Sequence, residues 1–232
     1  MRLGDELEPS DQIRKEKSMG VAVMVMGASG SGKSASLRNF KPGEVGIFNV
    51  AGKPLPFKNV GKDKLPLANN VGYETIKASL RNAKLKCYVI DDSQYLMAFE
   101  SFDHAKETGY GKFTNMALNF RNLIQTAIAE TPDDVIVYFL HHTELADDGH
   151  IKAKTLGKML DNQLTVEGLF SIVLMCQIEG SDHFFITNSD GSNSAKSPMG
   201  MFEKRIDNDL KFVDKTIREY YGFNNEEEQE EK

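Results

Sequence analysis

The octapeptide GASGSGKS at residues 27–34 constrains the chain more than any other stretch. It fits the pattern G-x-x-x-x-G-K-[ST] and follows directly on an apolar run of strand length, VAVMVM at residues 21–26. Glycines at these positions let the backbone turn tightly, so that successive N–H groups point inward at anionic oxygens. The pattern predicts that Gly27, Ala28, Ser29, Gly30, Ser31, Gly32, Lys33, Ser34 and Ala35 bind the phosphates of a nucleoside triphosphate. Lys33 would carry a mobile positive charge to the β- and γ-phosphates, and the Ser34 hydroxyl would hold Mg2+. Residues 34–40 contain no helix breaker, so a strand–loop–helix unit is expected, with the helix N-terminus adding partial positive charge.

A chain of 232 residues has room for one large domain with short appendages. Apolar stretches are strand-sized, well short of the roughly 20 residues that span a bilayer. The opening residues, MRLGDELEPSDQ, lack an apolar segment of the kind a secretory signal carries. Cys87 and Cys176 each sit within an apolar run and read as buried free thiols of a reducing compartment, which places the protein in the cytoplasm, of a cell or of an infected host. The formal charge is −6, but residues 222–232 hold five Glu and one Lys, leaving the rest of the chain at −2. Such a tail is expected to be solvated and disordered, or to act as a decoy for a basic groove.

Residues 1–19 read as a mobile arm or a helix needing a partner, ahead of one α/β domain over residues 20–221. Within it, strands are expected at 45–50, 87–90, 135–140, 171–177 and 184–187. Helices are expected at 73–83, at 114–130 with Thr114 as N-cap, and at 209–220, with loop chemistry over 51–70. Strands alternating with helices imply a mainly parallel sheet flanked by helices.

The run CYVIDD has the Walker B form, apolar residues and then acid. Asp91 at the strand's carboxyl end would hold the Mg2+ opposite Ser34, and Asp92 would polarise an attacking water as general base. The strand VIVYFL ends in His141 and His142. In phosphate-loop sheets that insert a strand between the loop strand and the Walker B strand, this element carries a polar sensor of the γ-phosphate. Either histidine fits that role.

With these residues the chain resembles the RecA-like ATPases of bacteriophages: the single-strand annealing recombinases with a RecA/Rad51-type core, and related AAA-type nucleotide-binding proteins. The resemblance spans residues 21–210 and rests on GASGSGKS, VIDD, VIVYFLHHTE and SAKSPMGMFEKRIDNDL. It implies a P-loop fold, ATP and Mg2+ as cofactors, and assembly into a ring or filament. It also implies single-stranded DNA as a partner, and a single-strand-binding or replication protein as another. A late basic segment in such proteins reaches the neighbouring subunit's ATP. Lys196 falls where its lysine stands and Arg205 is the fallback, while Pro198 replaces the family's arginine. The stretch NVAGKPL lacks the acid that RecA proteins carry after the second strand, so the base role moves to Asp92.

The resemblance puts DNA at two segments. Residues 94–113 mix Lys106 and Lys112 with Phe102, Tyr110 and Phe113, while residues 146–164 carry Lys152, Lys154 and Lys158. Two other readings stand beside it. A small-molecule or nucleotide kinase needs an Arg-rich lid, whereas Arg38, Arg81, Arg121, Arg205 and Arg218 are scattered. A nucleotide-gated adaptor needs binding with little hydrolysis.

Overall fold

The computed structural model describes residues 20–157, 160 and 163–223. Its centre is a mixed, mostly parallel sheet flanked by helices, an α/β architecture. Five parallel strands form the body: β1 (Val21–Gly27), β2 (Gly46–Asn49), β4 (Cys87–Asp91), β5 (Ile136–Leu145) and β7 (Ile172–Glu179). Their spatial order is β2-β4-β5-β1-β7, so β5 lies between β1 and the acid-bearing β4. The short β3 (Leu67–Asn69) adds parallel to β2. On the other side β8 (Asp182–Ile186) and β9 (Arg205–Asp207) continue antiparallel from β7. β6 (Ile151–Ala153) pairs antiparallel with the outer half of β5.

Both faces of the sheet are covered, which is why its central strands read as unbroken apolar runs. Met24, Met26, Ile90, Val137 and Phe139 face α1 (Tyr73–Arg81), α2 (Gln94–Asp103) and α3 (Gly111–Ala129), packing on Ile76, Leu80, Leu96, Phe120 and Ile124. The alternate residues Val23, Val25, Val89, Tyr138 and Leu140 meet Leu37, Val213 and Ile217 on the opposite face. There α4 (Leu210–Tyr221) packs with the 3-10 turn Ser34–Asn39. Asp209 caps α4 by accepting from the Lys211 and Phe212 N–H groups, and Gly222 ends it in the left-handed region. Cys87 and Cys176 are free and buried, as expected.

Several elements differ from the sequence reading, each for a local reason. The segment after the glycine loop is a six-residue 3-10 turn, Ser34–Asn39. Pro42 disfavours helical backbone just before it, Phe40 is already extended, and the Ser36 hydroxyl bonds back to the Lys33 carbonyl. A helix dipole therefore contributes little at the loop. Residues 94–103, read as loop, form α2, whose Leu96 and Met97 are buried and whose Tyr95 and Phe99 stack one turn apart. α3 starts at Gly111 with Tyr110 as N-cap, earlier than Thr114. β5 runs on to Leu145 because its end finds a hairpin partner in β6. The 1–19 arm, Lys158 and residues 224–232 of the acidic tail lie outside the described residues. Among the described residues, no helix is long and apolar enough to cross a membrane.

Candidate functional site

The parallel strands deliver their carboxyl ends to one edge of the sheet, where ligands bind in open α/β folds. Register places Gly27 beside His142 and Asn49 beside Asp91. The 27–34 loop, the Asn49–Lys53 turn, the Asp91–Asp92 pair and His142 are thereby brought to one cleft of about 370 Å3. Its walls include Ser29, Gly30, Gly32, Lys33, Ser34 and Ala35. Gly27, Ala28 and Ser31 do not line it. They shape the loop from behind.

Lys33 folds back inside its own loop, donating to the Gly27 and Ala28 carbonyls at 2.8 Å each. Burial holds its pKa below the ordinary lysine value, against the pull of Cys176, Asp92 and Asp91. The Ser31 carbonyl is braced from β7 and β8, accepting from Cys176 Sγ at 3.0 Å and from His183 Nδ1 at 2.8 Å. His183 presses so close that a Cβ on Gly32 would lie 2.7 Å from Nδ1, and Gly32 has φ +104°. Only glycine fits there. Among the described residues, the N–H groups of Gly30, Gly32 and Lys33 donate to no backbone acceptor, which leaves them for an anion.

Ser34 Oγ donates to Asp91 Oδ1 at 2.8 Å across 57 positions of sequence. Burial pushes the Asp91 carboxyl up to about 6, although the Ser34 bond pulls the other way. Two hard oxygens at the mouth of the glycine loop suit Mg2+, which takes one or two protein oxygens and completes its shell with phosphates and water. Among the described residues no group of three or more His, Cys, Asp or Glu is placed to hold a metal on its own. A folded pKa above the unfolded 3.8 means that stability is lost as the pH rises from 3.8 to about 6, above which the full cost of ionised Asp91 is present. Asp91→Asn is therefore expected to stabilise the ligand-free chain at pH 8 by about 3 kcal/mol. Urea unfolding of both forms at pH 8 and pH 4 checks this, since the gain should vanish at pH 4.

Asp92 sits in the left-handed region, φ 60°, and is almost fully buried. It accepts from His142 Nε2 at 3.0 Å and pairs with Lys53 Nζ at 2.5 Å. Burial alone would raise its pKa, but the His142 and Lys53 bonds outweigh that and hold it below the usual carboxylate value. Strand alternation resolves the two histidines. His142 lines the cleft, whereas His141 is fully buried on the α3 face of the sheet, tilted against Phe120. His141 Nε2 donates to the Lys154 carbonyl at 2.8 Å and Nδ1 bonds Ser93 Oγ at 2.9 Å, so it cannot reach a ligand in the cleft. The reading of His141 as a γ-phosphate sensor is corrected accordingly.

Lys196 lies away from this chain's own cleft, its backbone bridged to Val173 on β7 at 2.8 and 2.9 Å. Arg205, on the edge strand β9, covers the Phe184 ring at 3.6 Å and pairs with Glu179. It lines a second, larger cleft of about 870 Å3 that shares Ala35 and His183 with the first.

Two polar cleft residues lie beyond the sequence reading, Lys53 and His183. In NVAGKPL the absent acid draws attention away from the lysine that is present, although a cation just past the end of a parallel strand is a legible signal. His183 carries none, being one polar residue on an antiparallel strand. Neither a family model nor a curated protein sequence matches the chain.

Proposed function

We propose that this chain is a Mg2+-dependent P-loop ATPase with a RecA-like core that acts on single-stranded DNA as an oligomer. The Ser34–Asp91 hydrogen bond carries the nucleotide part, because it joins the two oxygens expected to share one metal at the rim of a glycine loop holding Lys33. The placement of β5 between β1 and β4, with His142 at its site-facing end, supports the same reading. Bound Mg2+ would neutralise the outer phosphates. Lys33 would exchange two backbone carbonyls for phosphate oxygens. Asp92, oriented by His142, would accept the proton of an attacking water. The larger cleft gives room for the nucleoside, and Lys196 or Arg205 would supply charge to a neighbouring subunit's site.

ATP turnover measured with and without single-stranded DNA, alongside particle mass, tests this reading. DNA is expected to change the rate. Saturating DNA that alters neither rate nor mass removes the DNA part. The proposed DNA surface combines the strongly exposed Phe102 and Tyr110 with the hairpin that carries Lys152 and Lys154. Lys152 also pairs with Glu144 opposite it, and Lys112 bonds the His104 and Glu107 carbonyls. Replacing Lys152, Lys154 and Lys158 together by alanine is expected to flatten the log–log salt dependence of DNA binding by about 0.7 for each phosphate that is no longer neutralised. An unchanged slope takes the hairpin out of the interface.

A second reading, a nucleotide-gated adaptor with little hydrolysis, is favoured by one observation: Asp92 is held by the Lys53 ammonium and the His142 ring instead of facing open water. Normal nucleotide binding with negligible turnover, with or without DNA, would select it.

A further inference from the structure

We infer that Lys53 is a second phosphate-binding cation, one that senses the terminal phosphate by leaving Asp92 for it. The inference rests on the nucleotide reading above and goes beyond it, since Lys53 stands where that class of site was expected to carry an acid.

The backbone around Lys53 is fixed. Asn49 Nδ2 donates both to the Lys53 carbonyl and to Asn69 Oδ1, at 2.7 Å each. Gly52 has φ +65°, and a Cβ there would lie 2.4 Å from Asn70 Oδ1, so the turn is locked against β3's end. Pro54 follows, and Leu55 is anchored in the core. A rigid turn at a strand end thus presents one long flexible side chain to the cleft.

The side chain itself is largely open to solvent. Lys53 is 58% exposed and lies 5.4 Å over the Tyr95 ring, whereas its partner Asp92 is 7% exposed, so the pair joins an exposed cation to a buried carboxylate. An exposed lysine can re-aim its ammonium at little cost, and a polyphosphate carries more charge than a single carboxylate. Asp92 keeps a partner when Lys53 departs, because His142 remains at 3.0 Å. The exchange leaves the buried carboxylate hydrogen-bonded, whereas a bare buried carboxylate would oppose it strongly. Location fits as well. Lys53 lines the same cleft as Lys33, Asp92 and His142, with its ammonium on Asp92, and it is near enough to Lys33 that each ammonium opposes the other's charge. A polyanion would relieve that repulsion, and its outermost phosphate is the group that Lys33 and Lys53 would share.

The consequence is selectivity. With Lys53 in place, a triphosphate gains a contact that a diphosphate cannot make, and Asp92 is released from its ion pair only when the triphosphate is present. The test is Mg2+-dependent binding of a fluorescent non-hydrolysable ATP analogue and of the matching ADP analogue. Lys53→Ala is expected to weaken triphosphate binding by about tenfold and change diphosphate binding by less than about twofold, with Lys53→Arg close to the unaltered chain. Asp92→Asn, which frees Lys53 without removing it, is expected to tighten triphosphate binding selectively. Equal losses for both nucleotides in Lys53→Ala, or no selective gain in Asp92→Asn, overturn the inference. If the unaltered chain binds neither nucleotide, the nucleotide reading fails with it; if it binds both and Lys53→Ala shows no selective loss, the inference alone fails.

Discussion

Lys33→Ala is expected to weaken binding of a Mg2+–triphosphate by about 100-fold, or about 2.7 kcal/mol. Lys33 is buried, and its ammonium is satisfied by two carbonyls of the loop it belongs to. The arriving ligand has to draw that ammonium off the carbonyls, and phosphate oxygens do so because a charged acceptor binds it more strongly than a neutral one. Burial sharpens the difference, since a desolvated lysine gains more from an anion than one already served by water. The Lys33→Ala chain keeps the braces from Cys176 and His183 on the Ser31 carbonyl, so its fold should persist. Titration with a fluorescent triphosphate, with thermal unfolding run in parallel, checks both halves. Affinity retained within about threefold in a folded Lys33→Ala chain would mean that the loop does not grip phosphates.

Acid is expected to destabilise the fold through His141, by about 3 kcal/mol between pH 6.5 and pH 4. Full burial pushes its pKa down to about 4, with His142 and Lys33 adding to the effect against the opposing bond to the Lys154 carbonyl. The unfolded chain takes up this proton near pH 6.5 and the folded chain only near 4. Stability is therefore complete above pH 6.5 and lost as the pH falls through the folded value. Neutral His141 donates from Nε2 and accepts from Ser93, and in its charged form the Ser93 hydroxyl can turn to the Leu140 carbonyl. The penalty is consequently one of desolvation and not of a broken hydrogen bond. Asp91 titrates in the opposite sense over part of this window, so the measurement is best made in the Asp91→Asn background. Urea midpoints from pH 7 to pH 4 should fall there, and His141→Gln should flatten the dependence. An equal slope in both chains would assign the acid sensitivity elsewhere.

The sheet and the core of the cleft are legible in the sequence because they rest on short-range signals. VAVMVM, CYVID and VIVYFL are strand-length apolar runs of the kind that doubly covered strands carry, and the spacing of GASGSGKS leaves few backbone solutions. The Ser34–Asp91 contact can be expected because the loop that follows β1 and the carboxyl end of β4 reach the same edge of one parallel sheet, with β5 between them. What stays hidden depends on tertiary pairing. β3, β6 and β9 are three residues each and exist only through the partners beside them. α2 is masked because its aromatic residues and the lysines that follow read as a binding loop, whereas Leu96 and Met97 turn it onto the core. The turn after Lys33 reads as a helix because propensity carries no account of what Pro42 and the Ser36 hydroxyl do to a segment only six residues long. The choice between His141 and His142 needs one further fact, which side of β5 faces α3.

β5 is ten residues long and only its first half is clamped between neighbours on both sides. Beyond His142 it projects as a cantilever, stiffened by β6 and pinned at its root by the buried His141. Its tip is tied in turn to residues 192–194, through His150 to Ser194 and Ile151 to Ser192, so His142 at the root and residues 146–150 are joined through one hairpin. The two ends of this strand thus form one mechanical part, and a change engineered at either should be assayed at both.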